Sequence, residues 1–150
     1  MTRLLPLILL LSGCAVTARG YIHQDGSKTV VRTPEGGELT LRRNRISRVL
    51  RFLDGELVHI EGTKSFGRVG LDRWRVLEGV SGLQAVVGQL RPYGLSLVVV
   101  DSWSGNSIAL EDAVMSEMSP FIGYPVLIEG YFDGQSLRVV HYQVLSRDEH

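Results

Sequence analysis

Hydrophobic and polar positions alternate with a period of two along most of this chain, which predicts strands. "LQAVVGQLRP", residues 83–92, places Val86, Gly88 and Leu90 on one face. "LSLVVVDSW" is a β-branched run beyond a turn at Tyr93-Gly94, and "NSIAL" gives a third strand after Ser104-Gly105. The period then changes. Val114, Met118 and Phe121 recur at i, i+4 and i+7, a helical stripe with Glu111 and Asp112 near the positive end of its dipole. "YPVLIEGYF" and "SLRVVHYQVL" return to strand alternation on either side of a turn at Asp133-Gly134, so the order is β-β-β-α-β-β.

The pattern occurs twice. "GELVHIEG", Gly55 to Gly62, returns as "GYPVLIEG", Gly123 to Gly130, with five of eight positions identical at an offset of 68. Held without a gap from Ala15 to Leu77, the offset gives twelve identities. They include Gly20 with Gly88, Gly26 with Gly94, Val30-Val31 with Val98-Val99, and Gly37 with Gly105. Trp74 falls on Tyr142. The first copy has its own helical stripe, Ile46, Val49, Leu50 and Leu53, behind Asn44 as N-cap. In both copies the last strand changes parity. Val69 and Leu71 share one face while Trp74 and Val76 continue on the other, and Leu137 and Val139 give way to Tyr142 and Val144, as a bulge would make them do. A glycine inside the first strand, Gly20 or Gly88, suits a sharp bend.

Five short strands with a helix between the third and fourth, in a unit this small, resemble the OB-fold, a partly open Greek-key barrel. The resemblance implies a mainly β protein of two tandem OB-like five-stranded barrels, over residues 14–81 and 82–150, that lean on one another. One larger β-sandwich built from both copies is the competing architecture. OB-folds bind through the face of strands two and three and the loops between strands one and two and four and five. In the second copy these loops, "RPYG" and "YFDGQ", bring Arg91, Tyr93, Tyr131 and Phe132 forward as ligand-binding candidates, with Trp103 just after strand two. Rings beside hydrogen-bonding groups suit sugar faces, extended peptides or a protein anchor. The rings also suit a barrel-end cap or the contact between copies. The first copy's loops offer Lys64 and Phe66, with His23, Asp25 and Arg68.

The first residues read differently. Arg3 followed by the apolar run Leu4 to Leu11 is an export signal, too short to span a bilayer as a mature helix. Its end, Leu11-Ser12-Gly13-Cys14, resembles the lipobox of bacterial lipoproteins. That resemblance implies removal of residues 1–13 and acylation of Cys14, the chain's one cysteine, by diacylglycerol and a further fatty acid such as palmitate. Ala15 after the cysteine implies the outer membrane, facing the periplasm. Several acyl chains hold a small protein stably where one does not. Val16-Thr17-Ala18 leaves open an ordinary signal-peptidase site and a secreted protein.

Charge divides between the copies. Residues 15–81 carry twelve Lys or Arg against eight Asp or Glu, while residues 82–150 carry three against eight, and the whole chain is neutral. Most of the basic excess lies in "RRNRISRVLR", Arg42 to Arg51, which suits an anionic membrane surface, a solvated helix face or docking on the acidic copy. Overall neutrality and the acidic second copy argue against nucleic acid as a partner. The four histidines have no metal-ligand spacing, no serine sits in a G-x-S-x-G elbow, and one cysteine makes neither a disulfide nor a thiolate zinc cluster. No catalytic residue, metal or cofactor is expected. Glu61 and Glu129 recur in "IEG", but ordinary strand alternation places them there. The chain reads as a non-enzymatic, membrane-anchored envelope lipoprotein, a binding or adaptor module. Its partner is an envelope protein, or else peptidoglycan or an oligosaccharide. A small periplasmic hydrolase with its site between the copies, and a single-stranded nucleic-acid-binding protein, are the alternatives.

Overall fold

Alternation becomes ten strands in the computed structural model, which describes residues 13–79 and 82–146. The export signal up to Ser12 and the expected boundary at Ser81 lie outside the described residues. Strands β1 (Cys14–Asp25), β2 (Lys28–Arg32), β3 (Glu38–Thr40), β4 (Leu57–Ser65) and β5 (Arg68–Glu78) form one antiparallel sheet in the order β3-β2-β1-β4-β5. Strands β6 (Gln84–Tyr93), β7 (Ser96–Asp101), β8 (Ser107–Ala109), β9 (Pro125–Phe132) and β10 (Leu137–Val144) form a second, in the order β10-β9-β6-β7-β8. The protein is therefore mainly β, and the two sheets have one topology. In each, the chain beyond the third strand meets the fifth in parallel. Leu41 bridges Val69 and Leu110 bridges Leu137, and the N–H of Arg42 donates to the Val69 carbonyl at 2.7 Å.

Register repeats as well as topology. Ile22 faces Val31, Ala18 faces Ile60 and Ile60 faces Trp74; in the second half Leu90 faces Val99, Val86 faces Ile128 and Ile128 faces Tyr142, each partner displaced by 68. The third strand departs from this. Val31 faces Leu39 but Val99 faces Ile108, an offset of 69. The left-handed glycine at this turn is Gly36 (φ 85°) in the first half and Gly105 (φ 75°) in the second, so the gapless match of Gly37 to Gly105 is one residue out. Sequence identity had aligned the wrong member of a Gly-Gly pair.

The long first strands pass from one partner to another at a glycine. β1 pairs with β4 up to Tyr21 and with β2 from there, and a Cβ on Gly20 would run into the Arg32 carbonyl. Gly88 stands in the same relation to the Val100 carbonyl. The expected bulges are present: pairing shifts past Asp72 in β5 and past Val140 in β10, which reverses the parity of each strand.

The expected helices are shorter than their stripes predict. Ser47–Phe52 is 3-10, and the second-half counterpart is a 3-10 turn, Asp112–Val114, a single α turn, Met115–Met118, and a 3-10 turn, Ser119–Phe121. A tighter, poorer helix suffices because each segment needs to bury only a residue or two beneath its sheet. Leu50 and Met118, at equivalent places, are fully buried. Asn44 does act at the start of the first segment, its Oδ1 accepting the Ser47 N–H at 2.8 Å while the Ser47 hydroxyl accepts the Asn44 N–H at 2.9 Å.

Each half has a core, and one of them crosses the junction. Leu90, Val99, Met118, Ile128 and Leu137 belong to the second half's cluster. The first half's cluster, around Ile22, Val31, Leu50, Ile60 and Leu71, also takes in Val87, Leu127 and Leu145. On β6 and β9, then, Val86 and Ile128 face one core while their neighbours Val87 and Leu127 face the other. No helix among the described residues is long and apolar enough to cross a membrane.

Candidate functional site

The basic run, shortened from helix to 3-10 turn, lines a groove. Arg43, Arg48 and Arg51 join Lys28 from the start of β2 and Arg68 from the start of β5 around a groove of about 450 Å³ that has no acidic residue in its lining. None of these five cations makes an ion pair among the described residues. Two buried donors on the groove, the Arg51 Nε and the Gln24 Nε2, have no hydrogen-bond partner. Buried donors are ordinarily paired. Sequence reading had placed the cations on a helix face and missed the groove, because its other walls come from distant turns.

Beside it lies the β4–β5 turn. Ser65 pairs with Arg68, and the two residues between them, Phe66 (φ 50°) and Gly67 (φ 75°), are both left-handed, the pattern of a type I′ hairpin turn. Glycine or asparagine normally fills such positions. Phe66 is the one non-glycine residue with positive φ among the described residues, and it is 83% exposed. An aromatic side chain held in a costly conformation and turned to solvent points to a use. Lys64, two residues earlier, is the Cα partner of Cys14, which is exposed and opens β1. The Nη2 of Arg42 donates to the Ser65 hydroxyl at 2.6 Å, tying the basic segment to this turn.

Trp103 lies elsewhere. It is half-buried at the junction of the halves, with the Arg73 guanidinium 3.9 Å and the Arg75 guanidinium 4.9 Å from its ring centroid and the His59 ring edge-on at 5.6 Å. The Arg73 Nη2 also donates to the Trp103 carbonyl at 3.2 Å. Of the readings open for Trp103, the contact between copies is the one the geometry supplies, with cation–π attraction as its physical basis. The other second-half candidates do not gather into one cluster. Tyr131 and Phe132 end β9 and are exposed, with Tyr131 facing Arg138 across the ladder. Tyr93 is exposed at the end of β6 and no ring contact links it to either; Arg91, on the same strand, turns to Gln89. Asp133 orders the neighbouring turn. The N–H groups of Ser136 and Gln135 and the Arg138 guanidinium hold its carboxyl down to about 2.

A second carboxylate pair emerges at the junction, and it is not Glu61 with Glu129. Glu61 sits beside His59 and Arg73. Glu129 is 3% exposed and shares a cleft of about 330 Å³ with Glu56, Asp54 and His141, Glu56 itself being 5% exposed. Burial pushes the Glu56 carboxyl up to about 7, and the neighbouring Glu129 charge adds to the rise. No periodic signal marks Glu56, whose place in the other copy is taken by Tyr124. A carboxyl raised in the fold favours its protonated form, so its contribution is complete below the unfolded value near 4.5 and is lost as pH rises toward 7. Stability should fall across that window. Glu56→Gln should flatten the profile and raise stability at pH 8 by on the order of 1 kcal/mol, allowing for screening by water in the cleft. Urea midpoints at pH 5 and pH 8 read this, and an unchanged pH slope in the variant would count against it.

Among the described residues no group of three or more His, Cys, Asp or Glu is placed to hold a metal ion. No family model matches the sequence, and no curated protein does. A solved structure of a deletion mutant of the single-stranded DNA binding protein from Thermus aquaticus is similar over 91% of this chain and 97% of that one, at 15% identity and a TM-score of 0.28. At that score the likeness carries no argument about fold or ligand.

Proposed function

We propose that this chain is a lipid-anchored binding and adaptor protein of the bacterial cell envelope, made of two small OB-like barrels. Residues 1–13 are the cleaved signal peptide, and Cys14 carries the acyl chains at the outer membrane, facing the periplasm. The observation that carries this reading is the place of Cys14. The lipobox cysteine is exposed and is the first residue of β1, already in register with Lys64. With no tether between anchor and fold, the first unit sits on the bilayer and its reach is short. The parallel Leu41–Val69 and Leu110–Leu137 bridges support the barrel reading, because they bring the third strand of each sheet to its fifth. Tyr93, Tyr131 and Phe132, exposed on the second unit, offer rings and hydroxyls to an envelope protein, or to peptidoglycan or an oligosaccharide.

Radioactive palmitate given to cells should label the wild-type chain and leave Cys14→Ala unlabelled as uncleaved precursor. Crosslinking in the same membranes should recover a protein partner with wild type and less of it with Tyr131→Ala/Phe132→Ala. Label persisting in Cys14→Ala would end the anchor reading.

One observation favours a second reading, a small hydrolase with its site between the halves. Glu56, its carboxyl raised by burial to about 7 beside Glu129, has the character of a general acid. On that reading Glu56→Gln abolishes hydrolysis by the purified protein, and crosslinking yields no stable partner.

A further inference from the structure

We infer that the basic groove and the adjoining Phe66 turn form a docking site for anionic phospholipid headgroups. This deepens the anchor reading and rests on it for its setting, but its chemistry is independent of acylation. Five cations, from β2, the 3-10 segment and the stretch just before it, and β5, converge on one groove, and no carboxylate lining it neutralises them. Guanidinium groups bind phosphate by paired hydrogen bonds, and Arg43, Arg48 and Arg68 are exposed along the groove.

A membrane is favoured over other phosphate-bearing partners by what surrounds the groove. Phe66 projects from the adjoining turn, where the equivalent place in the second half is Gly134, left-handed at φ 102° without a side chain. A ring held out at a hairpin tip between Lys64 and Arg68 has the amphipathic make-up of an interfacial anchor, apolar to enter the acyl boundary and basic to meet headgroups. Cys14, opposite Lys64, puts the bilayer at this end of the unit. The second half replaces this tight turn with the four residues between Phe132 and Leu137 and lacks the cations, so the geometry assigns lipid contact to the first unit.

The test uses the chain from residue 14 onward, which contains all ten strands, with Cys14→Ser so that no acyl chain contributes. Co-sedimentation compares vesicles of phosphatidylcholine alone with vesicles containing phosphatidylglycerol, at low and high salt. The expected result is salt-sensitive binding to the anionic vesicles only. Arg43→Gln/Arg48→Gln/Arg68→Gln should weaken it at least about tenfold, and Arg91→Gln, on the second half, should not. Phe66→Gly should weaken it severalfold while holding or raising the melting temperature, because glycine accepts the left-handed turn without strain. A wild-type chain that binds neutral vesicles equally well, a triple variant that partitions like wild type, or a groove that takes single-stranded DNA while ignoring vesicles would each overturn the inference. Palmitate labelling reads the anchor separately, so a chain that labels but ignores anionic vesicles keeps the anchor and loses this site.

Discussion

Gly88→Val is expected to abolish stable folding of the second half. At Gly88 strand β6 leaves β9 for β7, and the strands approach so closely that the position of a Cβ is already occupied. The Val100 carbonyl carbon stands 2.7 Å from it and the Val99 Cγ2 2.9 Å. The obstacle is mainly backbone, which cannot rotate away as a flexible side chain would. Separating β6 from β7 would break the ladder that holds Leu90 opposite Val99, both fully buried. Overpacking of this kind costs about 3 kcal/mol before any ladder bond is lost, a large share of the total for a small protein. Gly94→Ala is the control. Its φ is 61° and nothing stands near a new Cβ, so only the left-handed penalty of about 1 kcal/mol applies. Chemical denaturation should show Gly88→Val with no cooperative transition, or a midpoint far below that of Gly94→Ala. Equal midpoints would mean that the strand bend is not set by this contact. Gly20, against the Arg32 carbonyl, carries the same expectation for the first half.

These two glycines show how far the sequence could be read. Strand alternation, the repeat and the parity change at Asp72 and Val140 are all local consequences of which side chain faces inward, so they were legible. The helices were over-read for a related reason: Ile46, Val49, Leu50 and Leu53 have helical spacing, and spacing does not say how many of them must be buried. Leu50 and Leu53 are, while Ile46 is 40% exposed. The site was less legible. Arg43, Arg48 and Arg51 were visible as a charge run, but the groove exists only because Lys28 and Arg68 arrive from separate hairpins. Trp103 looked like a loop aromatic because its neighbours, Arg73, Arg75 and His59, belong to the other copy. Glu56 had no signal at all, since it precedes β4 and its burial comes from the junction with β9, not from strand alternation. Phe66 was legible as a loop candidate but not as a left-handed residue, although an aromatic before glycine in a two-residue hairpin turn breaks the usual turn chemistry.

That junction sets the last and most far-reaching expectation: Leu127→Ala, a change in a strand of the second sheet, should destabilise the first half. Leu127 is 1% exposed and lies in the first half's core cluster with Val87 and Leu145, while Ile128, the next residue on β9, lies in the second. Truncating a buried leucine costs about 2–5 kcal/mol through lost transfer energy and the cavity left behind. At a chain of this length, about 3 kcal/mol lowers a melting temperature by roughly 6–12 °C. Trp74 reports on the first half, since its indole N–H donates to the Ile46 carbonyl at 3.1 Å, and Trp103 reports on the junction itself. Wild type should melt in one transition seen by both rings, and Leu127→Ala should move both together. Val140→Ala, at the 60% exposed bulge of β10, should leave them within about 0.5 kcal/mol of wild type. A Leu127→Ala protein whose Trp74 transition stays in place would mean that the first core closes without the second half. If both move, the two halves unfold as one unit, because Leu127 and Ile128 join the two cores through adjacent residues of one strand.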